Sequence, residues 1–323
     1  MSAIPIRRPP ALDRVGAGRK ILAVLGLATG VAIVIFAVLT RRFLTWDNIK
    51  AIFSSASLVG IMALGLTFIT LVGSLVSLAV APVAVVCAMA FLSALGLGLA
   101  PALVIAMVLG AVINASQGAL IGAWNVNAVI LTIGAGFLID GFAQTIHGGK
   151  IILPAGGGYA TLNSTPLGVP VAVYVMVGLT IAFQLVLKRT VLGRHILLVG
   201  SNRRAARAAG LPIGRITTAA FALAGASIGL GGAFLGAFNT GASTYLEGTL
   251  TFDAIAAVLV GGTAITGGRG SILRTLGGAL AIATISDVLL LRGLATGAQI
   301  LFKGVLVVAV VVITQVRLGG RDT

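Results

Sequence analysis

The sequence predicts an all-α polytopic membrane protein, with about ten transmembrane helices in a tightly packed bundle rich in Gly and Ala. Of its 323 residues, 58% are hydrophobic and only 9% are charged, and the mean hydropathy is +1.14. A soluble protein of this length needs more polar surface than that to cover its core. The net charge of +15 lies at the ends of apolar segments, which is typical of membrane topology and argues against a nucleic-acid partner.

A bilayer crossing needs roughly 17 to 25 mostly apolar residues, and ten segments approach that length. The predicted spans are Ile21–Leu39, Phe53–Leu71, Leu75–Leu95, Pro101–Ile121, Val126–Ile146, Pro170–Leu187, Thr217–Phe238, Leu250–Ile265, Ile272–Leu291 and Gly304–Val316. They make residues 21–316 one transmembrane domain, between a basic N-terminal tail (1–20) and a short C-terminal tail (317–323). The N-terminal tail precedes a full-length span, so it is not predicted to be a cleaved signal peptide.

The long basic passage Lys188–Arg215 sets the predicted orientation. It contains seven Lys and Arg and no acidic residue, so the positive-inside rule places it in the cytoplasm, together with both termini. Within it, Ser201 or Asn202 can cap a short helix that Gly210 and the following Leu-Pro end. This passage is either a functional helix below the membrane or a solvated loop that only sets topology.

Glycine is the most informative small residue, with 45 copies in the chain. In lipid, small residues let helix backbones approach closely and gain van der Waals contact, so most of these glycines are interpreted as packing positions. Adjacent glycines are different because each weakens a helix by ~1 kcal/mol relative to Ala. The pairs Gly261-Gly262 and Gly267-Gly268 are therefore predicted to mark helix breaks.

Residues with catalytic chemistry are few, and the sequence predicts no catalytic site, no metal site and no cofactor. His147 and His195 fall on opposite sides of the predicted membrane, and Cys87 is the single cysteine. Gly149-Lys150 lacks the flanking residues of a phosphate-binding loop. The chain itself is therefore not expected to bind ATP, and any energy for its activity must come from elsewhere.

Acidic residues in or near apolar segments are costly and are often paired or functional. In the predicted topology Asp140, Glu247, Asp253 and Asp287 lie toward the outer ends of their helices, which suits either an interfacial position or a substrate entrance. None of them forms a chain of carboxylates at the membrane midplane, as a proton-coupled carrier would use. This absence argues against secondary transport, and a stand-alone secondary transporter or channel is the alternative function.

Two passages carry a family resemblance: LGRHILLVGSNRRAARAAGLPIGRI, and FDAIAAVLVGGTAITGGRGSILRTLGGALAIATISDVLLLRG from Phe252 to Gly293. They are similar to the ribose-type sugar permeases of bacterial ABC importers, a family that includes xylose and autoinducer permeases. The similarity runs from about Trp46 to the last helix. It implies a permease subunit of the bacterial inner membrane that moves a sugar or related solute inward.

The resemblance also implies partners: cytoplasmic ABC ATPase subunits, a second permease copy or paralogue, and a periplasmic solute-binding protein. It implies that the helix near Asn202 is a coupling helix seated in an ATPase groove. The coupling-loop residues are then Gly193, Arg194, Asn202, Arg203, Arg204, Arg207 and Gly210. The second motif contributes Asp253, Gly261, Gly262, Thr263, Gly267 and Gly268.

The chain departs from the family pattern at two places. Val76 stands where the family usually has an Asp, and Arg203-Arg204 stands where an acidic residue is common. The translocation path is expected to carry weakly polar side chains, although such groups also join helices by hydrogen bonds. Candidates by residue type are Asn114, Gln117 and Asn127, with Ser116, Asn125 and Gln144.

Overall fold

The computed structural model describes residues 43–305 and residue 308. Its helices are α1 (Trp46–Leu71), α2 (Val80–Ala94), α3 (Leu99–Trp124), α4 (Ala128–His147), α5 (Val171–Arg189), α6 (Val191–Ser201), α7 (Arg203–Ala208), α8 (Ile213–Asn239), α9 (Leu250–Val260) and α10 (Ile272–Leu291). A further helix, α11, runs from residue 296 to residue 305. Short 3₁₀ turns occupy Leu95–Leu97, Gly157–Thr161, Pro166–Gly168 and Thr244–Glu247.

Seven of the helices in the described part of the chain are long and apolar enough to cross a membrane: α1, α2 with its 3₁₀ extension, α3, α4, α5, α8 and α10. Each matches one of the predicted spans. The predicted span Ile21–Leu39 and nearly all of Gly304–Val316 lie outside the described residues. The predicted count of ten helices therefore remains a prediction.

The structure corrects two of the predicted spans. The segment Leu250–Ile265 forms only the 11-residue helix α9, which is too short to cross a bilayer alone. It ends because Gly261 closes the last turn and Gly262 has φ of +74°. Similarly, α2 begins at Val80 rather than at Leu75, because residues 72–79 are non-helical and Leu75 has φ of +58°.

α1 and α8 form the centre of the bundle and are buried over most of their length. Their mutual contact includes the Ser227 hydroxyl, which donates to the Ile61 carbonyl at 2.6 Å. In contrast, α3, α4 and α5 expose most of their surface. α3 buries one face on α8, while its other face presents Val104, Val108 and Val112. These outer helices supply the apolar surface that a bilayer or a second subunit would cover.

The two ends of the bundle differ in character. At one end, here called the basic end, lie the C-termini of α3 and α5, helices α6 and α7, and the N-terminus of α8. At the opposite end, the loop after α4 clamps neighbouring elements: Ile152 and Ala242 exchange backbone hydrogen bonds of 2.8 and 3.0 Å, and the Ala155 N–H donates to the Leu92 carbonyl at 3.0 Å.

Candidate coupling and translocation site

α6 is fixed at a sharp corner after α5. The Thr190 hydroxyl accepts a hydrogen bond from the Gly193 N–H at 3.1 Å and so caps the N-terminus of α6. A Cβ at Gly193 would overlap the carbonyl oxygen of Val186 and lie 2.6 Å from the Leu187 Cα. Gly193 is therefore required for the close crossing of the two helices, while its neighbour Arg194 is exposed.

α7 is a six-residue helix that is capped at both its N-terminus and its C-terminus. The Asn202 side chain accepts a hydrogen bond from the Ala205 N–H at 3.0 Å at the N-terminus. At the C-terminus, Gly210 takes φ of +75°, and the Leu211 N–H donates to the Ala206 carbonyl at 3.1 Å. This is the glycine-dependent helix end that the sequence predicted for this position.

The three arginines of α7 do not share one environment. Arg204 and Arg207 are exposed, whereas Arg203 is partly buried and Ala206 is 5% exposed. The inner face of α7 therefore packs on the bundle, and the outer face carries the two exposed guanidinium groups. The Arg203 Nη2 donates to the Ile121 carbonyl in the last turn of α3 at 3.3 Å. Burial, followed by the positive charge of Arg207, lowers the pKa of Arg203.

Four glycines form a second feature of the basic end, which we call the glycine junction: Gly73, Gly200, Gly267 and Gly268. A Cβ at Gly267 would lie 2.5 Å from the Gly73 Cα, and a Cβ at Gly200 would overlap the Leu71 carbonyl oxygen. The Gly268 N–H donates to that same carbonyl at 2.9 Å. The junction therefore brings the end of α1, the end of α6 and the loop before α10 into close backbone contact.

α9 packs antiparallel on α10 at equally close range. A Cβ at Gly261 would lie 2.6 Å from the Arg274 carbonyl oxygen, and a Cβ at Gly278 would overlap the Ala257 carbonyl oxygen. Thr263 follows the break and is 1% exposed. Asp253 lies in the first turn of α9, at the opposite end of this helix from Gly261. This position agrees with the expectation that Asp253 is near an end of its helix.

Asp253 forms a buried ion pair that the sequence analysis missed. The Lys303 Nζ lies 2.8 Å from Asp253 Oδ1 and 3.0 Å from Oδ2, with side chains 14% and 10% exposed, respectively. The Thr249 hydroxyl donates to Oδ2 at 2.7 Å. The sequence feature that could have indicated this ion pair is a lysine within an otherwise apolar segment, because an intramembrane cation usually has a partner.

The candidate path residues fall in two places. Asn114 and Gln117 lie on the face of α3 that packs against α8 and are 0% and 4% exposed. Asn114 Oδ1 and both amide atoms of Gln117 lack a hydrogen-bond partner. Asn127 is separate from them: it is exposed and caps α4 by accepting from the Val129 N–H at 2.9 Å. In the described part of the chain, no cluster of His, Cys, Asp or Glu could hold a metal ion.

Comparison with known proteins identifies the family. Residues 48–314 match the family model described as branched-chain amino acid transport system / permease component. Over 303 residues the chain is 31% identical to the ribose import permease protein of Escherichia coli, covering 89% of this chain and 91% of that protein.

Two further relatives have a similar extent. The L-arabinose ABC transporter permease protein of Azospirillum brasilense is 28% identical, covering 90% of this chain and 87% of the relative. The autoinducer 2 import system permease protein of Salmonella paratyphi A is 28% identical, covering 88% of this chain and 89% of the relative. No solved structure matches the chain. With seven long apolar helices among its described residues, the chain is a multi-pass membrane protein that belongs to this permease family, the membrane subunits of ABC importers.

Proposed function

We propose that this permease imports a sugar or a related small polar solute across the bacterial inner membrane, powered by separate ATPase subunits. The support for the solute class is the nature of the relatives, which are named for ribose, arabinose and autoinducer 2. In this proposal the ATPase subunits use the ATP, and this chain supplies the path through the membrane. A ligand-binding screen of pentoses, hexoses and polyols on the cognate solute-binding protein tests the solute class, and binding of amino acids alone would contradict it.

We further propose that the basic end faces the cytoplasm and that α7 is the coupling helix. The observation that carries this assignment is the division of α7 into an inner face held on the bundle and an outer face bearing Arg204 and Arg207. A solvated topology loop needs neither a cap at each end nor a buried face. A short, preformed helix is suited to fit a groove on a partner protein.

The remaining partners follow from the same proposal. A second permease copy or paralogue covers part of the exposed apolar surface of the outer helices, lipid covers the rest, and a periplasmic solute-binding protein delivers the solute to the opposite end. ATP binding by the ATPases displaces α7, and the bundle changes between inward and outward openings. Each step requires only a few kcal/mol of differential binding.

Ala206→Pro is expected to abolish coupling while leaving the bundle folded. The Ala206 N–H donates to the Asn202 carbonyl at 2.9 Å, and proline removes that donor and clashes with the preceding turn, at a cost of ~3 kcal/mol or more. The variant should reach the membrane, whereas ATP hydrolysis by the partner and solute uptake should fall together. Wild-type transport by this variant would overturn the assignment of α7.

Arg204→Glu combined with Arg207→Glu is expected to preserve α7 but weaken its complex with the ATPase. Both side chains are exposed, so the change reverses the charge of the outer face without disturbing packing. The affinity for the ATPase should fall and its salt dependence should change. An unchanged affinity at low and at high salt would show that this face does not contact the ATPase.

Cysteine labelling tests the orientation. In a Cys87→Ala background, a membrane-impermeant thiol reagent added outside should modify Gly157→Cys and spare Ser201→Cys. Both positions are exposed, and nothing lies within 4 Å of a Cβ at Gly157. The opposite labelling pattern would reverse the orientation and remove α7 from the cytoplasm.

A further inference from the structure

α3 and α8 are in direct backbone contact along much of their length. A Cβ at Gly225 would overlap the Gly110 carbonyl oxygen, and a Cβ at Gly229 would overlap the Ala106 carbonyl oxygen. Close to the basic end, a Cβ at Gly122 would lie 2.8 Å from the Gly214 Cα. Surfaces packed this closely resist small displacements, because any relative sliding forces backbone atoms together. The two helices are thus suited to move as one body.

α7 is attached to both members of this pair. Only four residues, 209–212, separate it from α8, and they are held by the Leu211 N–H to Ala206 carbonyl bond of 3.1 Å and the Ile213 N–H to Leu211 carbonyl bond of 2.8 Å. The attachment to α3 is the Arg203 hydrogen bond to the Ile121 carbonyl. A displacement of α7 therefore acts on α8 through the chain and on α3 through one side chain.

Arg203 suits this position chemically. Carbonyl groups in the last turn of a helix lack internal donors and lie at the negative end of the helix dipole, so they favour a cationic donor. Ile121 is 1% exposed, so its carbonyl is not at an open surface position. The Arg203 Nε is buried without a hydrogen-bond partner. Such an atom is costly, which indicates that the arginine is held in this position by the packing around it.

We propose that Arg203 is a positioning residue that ties α7 to α3, so that α7 keeps a fixed position on the body formed by α3 and α8 when the ATPase displaces it. The proposal rests on the assignment of α7 as the coupling helix. It separates the three arginines by role: Arg204 and Arg207 meet the ATPase, and Arg203 transmits the displacement. Arg203 is then needed for coupling but not for assembly with the ATPase.

The distance between two spin labels tests this proposal in the assembled complex. The labels are attached to cysteines that replace the exposed residues Ala123 and Ala209, in a Cys87→Ala background. Their distance distribution is measured without nucleotide and after trapping with ATP and vanadate, so no solute is required. The wild-type distribution should be narrow and the same in both states. In Arg203→Ala it should broaden and shift on trapping, and permease-dependent ATP hydrolysis should fall by about tenfold, the loss expected from one charged hydrogen bond.

Two control variants complete the design. Arg215→Ala removes an exposed charge from the same basic passage and should leave the distance distribution unchanged. Arg203→Lys keeps a cationic donor and should recover part of the coupling. The proposed role of Arg203 would be overturned if Arg203→Ala kept a narrow distance distribution that is the same in both nucleotide states, together with normal ATP hydrolysis. If the ATPase instead still drives transport when α7 is broken by Ala206→Pro, the coupling assignment fails, which is a separate outcome.

Discussion

Replacing Gly225 in the central helix α8 by alanine is expected to destabilise the bundle. The new Cβ would overlap the Gly110 carbonyl oxygen and lie 2.7 Å from the Asn114 Cβ. The Gly110 oxygen belongs to a helix backbone, so α3 and α8 must separate to relieve the contact. Overpacking of this kind costs ~1–3 kcal/mol and sometimes more. The measurement is the temperature at which the detergent-solubilised protein loses its monodisperse elution peak.

Gly178→Ala provides the matched control. Gly178 is also a helical glycine, but it is exposed on α5 and nothing lies within 4 Å of its Cβ position. The same chemical change should therefore leave the unfolding temperature unchanged or raise it slightly, because alanine is the better helix former. Equal unfolding temperatures for the two variants would mean that α3 and α8 are not in backbone contact.

The long helices could be predicted from the sequence because hydropathy and length are local properties. All seven spans that the structure describes were identified, with boundaries that differ by up to seven residues, as at the start of α1. The Gly261-Gly262 pair predicted the break that ends α9, but Leu250–Ile265 was still counted as a span because most of it is apolar. The sequence did not reveal the close packing of Gly261 on Arg274. Composition does not reveal such a tertiary contact.

In the segment from Asn202 to Gly210, too, local features could be predicted and tertiary contacts could not. Its cap and its glycine end were predictable, because Asn202 and Gly210 act on their own neighbours in the chain. The different environments of its arginines were not predictable. A helical wheel places Arg203 and Arg207 on one side, yet only Arg203 reaches the Ile121 carbonyl. That assignment depends on where α3 ends, which the sequence of α7 does not contain.

The buried ion pair could not be predicted from the sequence for a similar reason. Asp253 and Lys303 are separated by 50 residues, and each alone is simply an ionisable residue in an apolar segment. Their pairing depends on the position of α11 against α9. A search for opposite charges in separate apolar segments would have proposed this pair as one candidate among several.

Asp253→Ala is expected to destabilise the protein by ~3–5 kcal/mol, because it leaves the Lys303 ammonium buried without its partner. The Lys303 side chain is 14% exposed, so water cannot readily replace the carboxylate. The measurement is again the unfolding temperature in detergent, which should fall clearly below that of the wild type. Asp47→Ala is the control, since Asp47 pairs with Lys50 at 3.7 Å but is 95% exposed. Its loss should change the unfolding temperature little.

The double variant Asp253→Leu with Lys303→Met separates pairing from packing. Replacing both charges by apolar side chains of similar size removes the cost of burying them, so its stability should return close to that of the wild type or exceed it. The two single variants should each be much less stable than the double, which gives a large coupling energy in the double-mutant cycle. If the effects of the two single changes simply add in the double variant, Asp253 and Lys303 are not paired. α11 would then be held against α9 by other contacts.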